Sequence, residues 1–174
     1  MINSLLSKDS EMKRVFILFI IFTLISIPIK DFNSSLNFIN RYRYMRILKF
    51  DYYKKIHREI LLKSIIQVES KGNFNAYNEN TDAVGILQIT PIMLKHANKI
   101  VGYDRYKLDD RWNVEKSIEI FWIVQEYHNP NLWLDQACHL WNAGISDKKF
   151  WDITSDYREM VSIEYNKLMA QNFR

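Results

Sequence analysis

Cysteine, glycine and proline are scarce in this sequence of 174 residues, which contains 1, 4 and 3 of them. Because Cys138 is alone, an intramolecular disulfide is excluded, and there is no Cys/His cluster at metal-ligand spacing. We expect the thiol to be a small buried apolar group on a helix. The few glycines and prolines predict a mostly helical chain without extended linkers, and repeats are absent as well.

Acidic residues are scarce at the front of the chain. Residues 1–63 contain 12 of the 24 Lys and Arg but only 5 of the 20 Asp and Glu. The remainder therefore has 12 basic and 15 acidic residues, a formal net charge of −3. Because nucleic-acid binding requires a basic surface, this balance argues against a nucleic-acid partner for the main part of the chain.

The apolar segment Val15–Ile29 is short for a membrane-spanning helix. Its 15 residues would extend about 22 Å as a helix, whereas the hydrocarbon core of a bilayer is ~30 Å thick. The length is typical of a signal-peptide core behind a positive N-terminus, although no small-residue cleavage site follows. We expect residues 1–30 to be a signal peptide or an uncleaved membrane anchor, with a buried helix as the alternative. Basic residues on both sides leave its orientation open.

The next segment, residues 31–57, combines bases with aromatic residues, most densely from Arg41 onward. Such a mixture is found in nucleic-acid-binding stripes and in helices that lie on a membrane surface. We favour a third interpretation, a helix or linker with a solvated basic face that leads into the domain. His57 has no partner in the local sequence and is expected to be exposed.

From residue 58 onward the pattern is helical. Apolar residues at steps of three and four predict a helix that ends near Glu69, with Gly72 as its stop signal. Thr90 and Asn113 are typical N-cap residues for two of the following helices. We predict an all-α fold with one helical domain at 58–174. The later helices are predicted over about 91–101, 114–128, 132–141 and from 156 onward.

Glu69 ends an apolar helix and precedes a polar, Asn-rich loop. It can be a solvated residue at a helix end, which is the more common situation for a glutamate. If it is partly buried, the loss of hydration raises its pKa and the carboxyl group can act as a general acid near neutral pH.

Four short motifs favour the second interpretation because they occur in a fixed order. They are Glu69-Ser70, "FNA" at 74–76, "AVGILQITP" at 83–91 and "LWNAG" at 140–144. On a helical chain this order resembles the catalytic domain of the soluble (SLT) type of lytic transglycosylase, a relative of goose-type lysozyme. The resemblance covers about residues 58–170, and it implies an α-rich, lysozyme-like catalytic domain behind the apolar N-terminal segment.

The resemblance assigns the catalytic role to Glu69, which matches the only catalytic carboxylate of the family. It implies that Ser70 hydrogen-bonds near the acid and that the Gln88 amide contacts the sugar. Gly85 allows the backbone to approach the substrate closely, and Tyr77 is expected to line the cleft. No second catalytic carboxylate is required, because the acetamido group of the substrate assists.

The chain departs from the family pattern at its end. Asn142 matches the family asparagine, but Trp141 stands where the family has a tyrosine. A tryptophan can stack on a sugar and donate a hydrogen bond through its indole nitrogen. We match Tyr165 to the late tyrosine that orients the acid, and Tyr157 is the rival.

By this resemblance the protein is expected to be an enzyme of the cell envelope that cleaves peptidoglycan glycan strands without a metal or an organic cofactor. Its product would be a 1,6-anhydro sugar, and the N-terminal segment would provide a membrane contact. Two alternatives remain open. One is a lysozyme-type hydrolase on the same fold, and the other is a peptidoglycan-binding envelope protein without catalytic activity.

Overall fold

A computed structural model describes residues 34–144 and 152–172, with side chains from residue 40 onward. The chain divides into two units, Met1–Phe50 and Asp51–Arg174. The elements in chain order are α1 (Ser34–Ser70), β1 (Tyr77–Asn78), β2 (Ala83–Val84), α2 (Pro91–Val101), a 3-10 helix (Leu108–Trp112), α3 (Val114–His128), α4 (Leu134–Ala143) and α5 (Ser155–Asn172). The described residues are thus mainly helical, which confirms the predicted helical class.

Helix α1 is much longer than the periodic apolar pattern predicted. Its 37 residues include no glycine or proline, so no residue within it interrupts the helical hydrogen bonds. The mixed segment from Arg41 onward is therefore helix rather than linker, and nearly all of its side chains are exposed up to Lys55. The helix ends where Lys71 and Gly72 take left-handed conformations, with φ of 54° and 80°.

The expectation that His57 is exposed is wrong. Its ring is half-buried, and its Nε2 lies 2.7 Å from the carbonyl oxygen of Leu132, to which it donates a hydrogen bond. Its Nδ1 lies 2.6 Å from the hydroxyl of Tyr165. The histidine thus connects α1 to α5 and to the connection between α3 and α4, through residues that are distant in sequence.

A small antiparallel hairpin follows α1. Tyr77 pairs with Val84 and Asn78 with Ala83. A further bridge between Val84 and Ile89 closes the four-residue turn 85–88. These strands had not been predicted, because two-residue strands produce no alternating pattern in the sequence.

The N-cap residues predicted for two helices are confirmed. The Thr90 side chain accepts a hydrogen bond from the Met93 backbone at the start of α2, and Asn113 accepts one from Lys116 at the start of α3. Helix α4 begins at Leu134, two residues later than predicted, and α5 begins at Ser155.

The core lies around the second half of α1. Leu61 and Ile65 are fully buried there together with Leu87 of the turn, Phe121 of α3 and Val161 of α5. Helix α2 packs against α3, and α4 packs against α5. Cys138 is buried, as expected for an apolar packing residue. This arrangement brings the C-terminal end of α1, which includes Glu69, into contact with both the turn and α5.

None of the helices in the described part of the chain combines the length and the hydrophobicity that a membrane-spanning helix needs. The apolar segment Val15–Ile29, predicted as a signal or anchor, lies outside those residues. The predicted division into residues 1–30, 31–57 and 58–174 remains a prediction.

Candidate active site

Glu69 is the penultimate residue of α1 and is largely removed from solvent. The buried hydroxyl of Tyr157, on the first turns of α5, donates a hydrogen bond of 2.6 Å to its Oε1. Tyr157 is buried and Glu69 is half-buried, so most of the surrounding water is kept away from this contact. The carboxyl group is therefore held in one orientation by a partner that is 88 residues away in the sequence.

The burial of Glu69 changes its acidity. Loss of hydration raises its pKa from 4.5 to about 7, while the hydrogen bond from Tyr157 acts in the opposite direction. At pH 7 a large fraction of the Glu69 population therefore carries the proton that a general acid requires. The pKa of Tyr157 is raised well above 10 by its own burial and by the nearby charge of Glu69, so the phenol remains a donor.

Ser70 connects the end of α1 to the turn at 85–88. Its hydroxyl donates a hydrogen bond of 2.7 Å to the carbonyl oxygen of Ile86, and a longer contact of 3.5 Å reaches Ile66 in its own helix. Ser70 is thus next to the acid, as the resemblance implied, and it fixes the position of the turn relative to Glu69.

Gln88 lies at the end of this turn with a φ of 49°. Its side-chain amide nitrogen donates to the carbonyl oxygens of Gly85, at 3.0 Å, and Ala76, at 3.2 Å. Its amide oxygen accepts no hydrogen bond from any of the residues that the structure describes. Because the nitrogen fixes the side chain, this oxygen is available as an oriented acceptor for a hydroxyl or an amide of a ligand.

Gly85 is required by its surroundings. Its φ is 77°, and an added Cβ atom would lie 2.3 Å from the backbone oxygen of Arg111. Both facts exclude a side chain at this position. The close approach predicted for Gly85 is therefore made to the 3-10 helix of the protein itself.

Arg111 is a buried cation that the sequence analysis missed. Its guanidinium group donates to the carbonyl oxygens of Asp82, at 2.6 Å, Ile89, at 3.1 Å, and Leu108, at 3.0 Å. It also forms an ion pair of 3.2 Å with the Asp82 carboxylate. The Asp82 carboxylate thus pairs with Arg111 and holds the hairpin, so it is not a free second acid beside Glu69. Glu79, the other acidic residue near the hairpin, is exposed in the loop between β1 and β2.

Trp141 does not have the exposed face that sugar stacking would require. Only 7% of its surface is exposed, and its ring packs edge-on against Phe121 at a centroid distance of 4.9 Å. Its indole nitrogen donates to the carbonyl oxygen of Leu87 at 3.2 Å. The indole thus supports the turn from the core side. Asn142, the next residue, is exposed near the end of α4.

The match of Tyr165 to the tyrosine that orients the acid is corrected by the structure. Tyr165 contacts His57, whereas Tyr157 contacts Glu69. The two tyrosines are eight residues apart on α5, a distance of about 12 Å along a helix, so only one of them can reach the end of α1. Tyr77 lies on β1 beside the turn with 54% of its surface exposed, and it is therefore accessible to a ligand.

The chain matches a family model described as "Transglycosylase SLT domain". The match covers residues 48–158, which is more than half of the chain of 174 residues. It includes Glu69, the turn at 85–88 and Tyr157, whereas Tyr165 lies beyond it. No curated protein and no solved structure matches the chain significantly.

Proposed function

Because the chain belongs to the transglycosylase SLT family, whose members act on peptidoglycan, we propose that it is a lytic transglycosylase with Glu69 as its catalytic acid and base. The bond to be cleaved is the β-1,4 linkage between N-acetylmuramic acid and N-acetylglucosamine. The observation that carries the proposal is the half-buried Glu69 carboxyl group, whose pKa is raised to about 7 and which Tyr157 orients beside the turn at 85–88.

In the first step the protonated Glu69 gives its proton to the glycosidic oxygen. The bond from this oxygen to the anomeric carbon of the muramyl residue breaks, and N-acetylglucosamine leaves with a free 4-hydroxyl group. The positive charge on the muramyl residue is stabilised by the acetamido group of the substrate, so a second protein carboxylate is not needed. This agrees with Asp82 being paired to Arg111.

In the second step the Glu69 carboxylate acts as a base. It accepts the proton of the muramyl C6 hydroxyl, and the C6 oxygen attacks the anomeric carbon to close a 1,6-anhydro ring. Glu69 regains its proton and no water is consumed. A pKa near 7 suits both steps, because the group must release and recover a proton at similar cost.

The remaining site residues have supporting roles in this proposal. Ser70 and the indole of Trp141 hold the turn by hydrogen bonds to Ile86 and Leu87. The amide oxygen of Gln88 is the group that we expect to accept a hydrogen bond from the sugar. The exposed side chain of Asn142 is a second polar contact for the glycan.

The product separates this proposal from its two alternatives. We expect the purified chain to release muropeptides from isolated cell-wall sacculi, and we expect these to end in 1,6-anhydro-muramic acid. Mass spectrometry checks this, because the anhydro end is one water lighter than a reducing end. Reducing ends alone would favour the lysozyme-type hydrolase, and binding without release would favour the non-catalytic protein. The energetic cost of burying Glu69 speaks against the last, since holding a glycan does not require it.

For its location we propose the cell envelope, with the domain facing the wall and residues 1–30 acting as an anchor or an export signal. A reporter that is active only outside the cytoplasm, fused after Arg174, is expected to be active. Removal of residues 1–30 from the same fusion is expected to abolish the signal. An inactive reporter on an intact fusion that still contains residues 1–30 would contradict this location without bearing on the chemistry.

A further inference from the structure

Two exposed aromatic rings lie side by side next to the candidate site. Tyr77 on β1 and Trp112 at the end of the 3-10 helix are 54% and 41% exposed. Their ring centroids are 6.3 Å apart, and the ring planes are inclined by 41°. Neither ring belongs to the buried core. Together they form a continuous apolar surface, the aromatic pair.

The aromatic pair adjoins the turn at 85–88. Tyr77 directly follows Ala76, whose carbonyl oxygen accepts hydrogen bonds from the Gly85 backbone and from the Gln88 side chain. On the other side, a Cβ atom added to Gly85 would lie 3.7 Å from the Cα of Trp112. Tyr77 is thus linked to the turn that carries Gln88 through Ala76, and the backbone of Trp112 lies close to Gly85 of the same turn.

Arg111 connects the two backbone segments that carry the aromatic pair. It precedes Trp112, and its guanidinium group bonds to Asp82 and Ile89 on the strand side, while its Nε bonds to Leu108 within the 3-10 helix. Only 5% of Arg111 is exposed, so water does not compete for these bonds. The separation of the two backbone segments that carry the rings is therefore set before a ligand arrives, which lowers the entropy lost on binding.

We propose, on the premise of the glycan-cleaving function above, that the aromatic pair binds a sugar ring of the glycan strand next to the sugar held by Gln88. The C–H faces of a pyranose ring are apolar and pack on aromatic rings, whose large flat surfaces contribute strongly to binding. The ligand is thus a polymer longer than the disaccharide that is cleaved, and Trp112 is part of its binding surface.

The distance between the two rings suits a sugar that lies on the outer surface of the pair, as on a platform, and not one that is inserted between the rings. A sugar inserted between two rings needs about 3.5–4 Å of carbon–carbon distance on each side, or ~7–8 Å between the rings. The centroids are only 6.3 Å apart. The sugar therefore lies on the outer surface of the pair, with the larger indole of Trp112 beneath it and Tyr77 at its edge.

The amide side chains near the platform suit the hydroxyl and acetamido groups of a sugar. The Asp82 carboxylate is neutralised by Arg111. Asn78 and Asn80 are exposed beside Tyr77. Their amide nitrogens are donors for hydroxyl and acetamido oxygens, since the Asn78 side-chain oxygen already accepts from the Asn80 backbone.

The test measures binding separately from cleavage. The full chain carrying Glu69→Gln is titrated with a hexamer of β-1,4-linked N-acetylglucosamine by calorimetry. Trp112→Leu and Tyr77→Leu, which keep apolar volume but remove the flat face, are each expected to raise Kd by about 10-fold. Trp112→Phe, which restores a flat ring, is expected to recover most of the affinity. Thermal unfolding of each variant verifies that the fold is retained.

Trp133→Leu is the matched control. Trp133 is 63% exposed, but it lies before the first residue of α4, whereas Trp141 is near the last. Its replacement is therefore expected to leave Kd unchanged. If the parent binds the hexamer and Trp112→Leu binds it equally well, the platform is overturned while the proposed function stands. If the parent itself does not bind the hexamer, the platform is overturned, whereas the glycan-cleaving premise is tested separately by the release of muropeptides from sacculi.

Discussion

Replacing Glu69 with glutamine is expected to lower the rate of wall digestion by about 100-fold to 10,000-fold, the usual contribution of a positioned acid–base group. Glutamine is nearly isosteric with glutamate but carries no transferable proton. Its side-chain oxygen can still accept the hydrogen bond that Tyr157 gives to Glu69, so the fold around the site is retained. The measurement is the release of soluble muropeptides from sacculi at equal protein concentration.

Glu79→Gln is the control for this experiment. Glu79 is exposed in the hairpin loop, and the change from carboxylate to amide is chemically the same. Its activity is expected to remain within about two-fold of the unmodified chain, because surface substitutions of this kind rarely disturb a protein. If Glu69→Gln kept more than about a tenth of the activity, Glu69 would not be the acid, and the proposed mechanism would fail.

The same substitution is expected to stabilise the protein at alkaline pH. The pKa of Glu69 is about 7 in the folded state and 4.5 for an unperturbed group. The folded state therefore binds more protons than the unfolded state between these values, and the free energy of unfolding falls as the pH rises through this window. The destabilisation of the folded state by ionised Glu69 is fully present above about pH 7, and it vanishes below about pH 4.5.

Glutamine is uncharged at every pH, like protonated glutamate. The variant therefore keeps the free energy of unfolding that the unmodified chain loses as the pH rises. At pH 8 we expect the free energy of unfolding of Glu69→Gln to exceed that of the unmodified chain. This excess is expected to be about 1–3 kcal/mol larger than the difference between the two proteins at pH 4. Urea unfolding of both proteins at the two pH values measures it. A difference that is the same at pH 4 and pH 8 would mean that Glu69 is not a desolvated carboxyl group. Together the two predictions describe a residue that lowers stability and provides activity.

The local features of this fold were predictable from sequence because they depend on neighbouring residues. Thr90 and Asn113 cap their helices through backbone groups three residues away. The Glu69-Ser70 pair and the Gly85–Gln88 turn were found because their residue types are constrained by the family pattern. Gly85 in particular has no room for a side chain.

The features that were missed depend on how helices cross. Tyr157 and Tyr165 lie on the same helix, and the sequence alone cannot show which of them meets Glu69, because this depends on the position of α5 relative to α1. His57 was expected to be exposed because its partners, Leu132 and Tyr165, are 75 and 108 residues away. Non-local contacts of this kind produce no periodic signal.

Trp141 and Arg111 illustrate a different difficulty, that of assigning a role from residue type. A tryptophan at a motif position suggested sugar stacking, but the ring is buried against Phe121 and supports Leu87. An arginine on a short 3-10 helix gave no signal at all, and yet its guanidinium group is buried on the backbone of the hairpin. In both cases the burial, which only the tertiary structure reveals, decides the role.

In the proposed mechanism the muramyl C6 hydroxyl, and not water, attacks the anomeric carbon after Glu69 has protonated the leaving oxygen. Digestion of sacculi in water enriched in oxygen-18, followed by mass spectrometry of the muropeptides, identifies the nucleophile. We expect 1,6-anhydro ends that contain no oxygen-18, because no water enters the reaction. Reducing ends that each carry one oxygen-18 atom would show that water is the nucleophile, and the mechanism would be wrong.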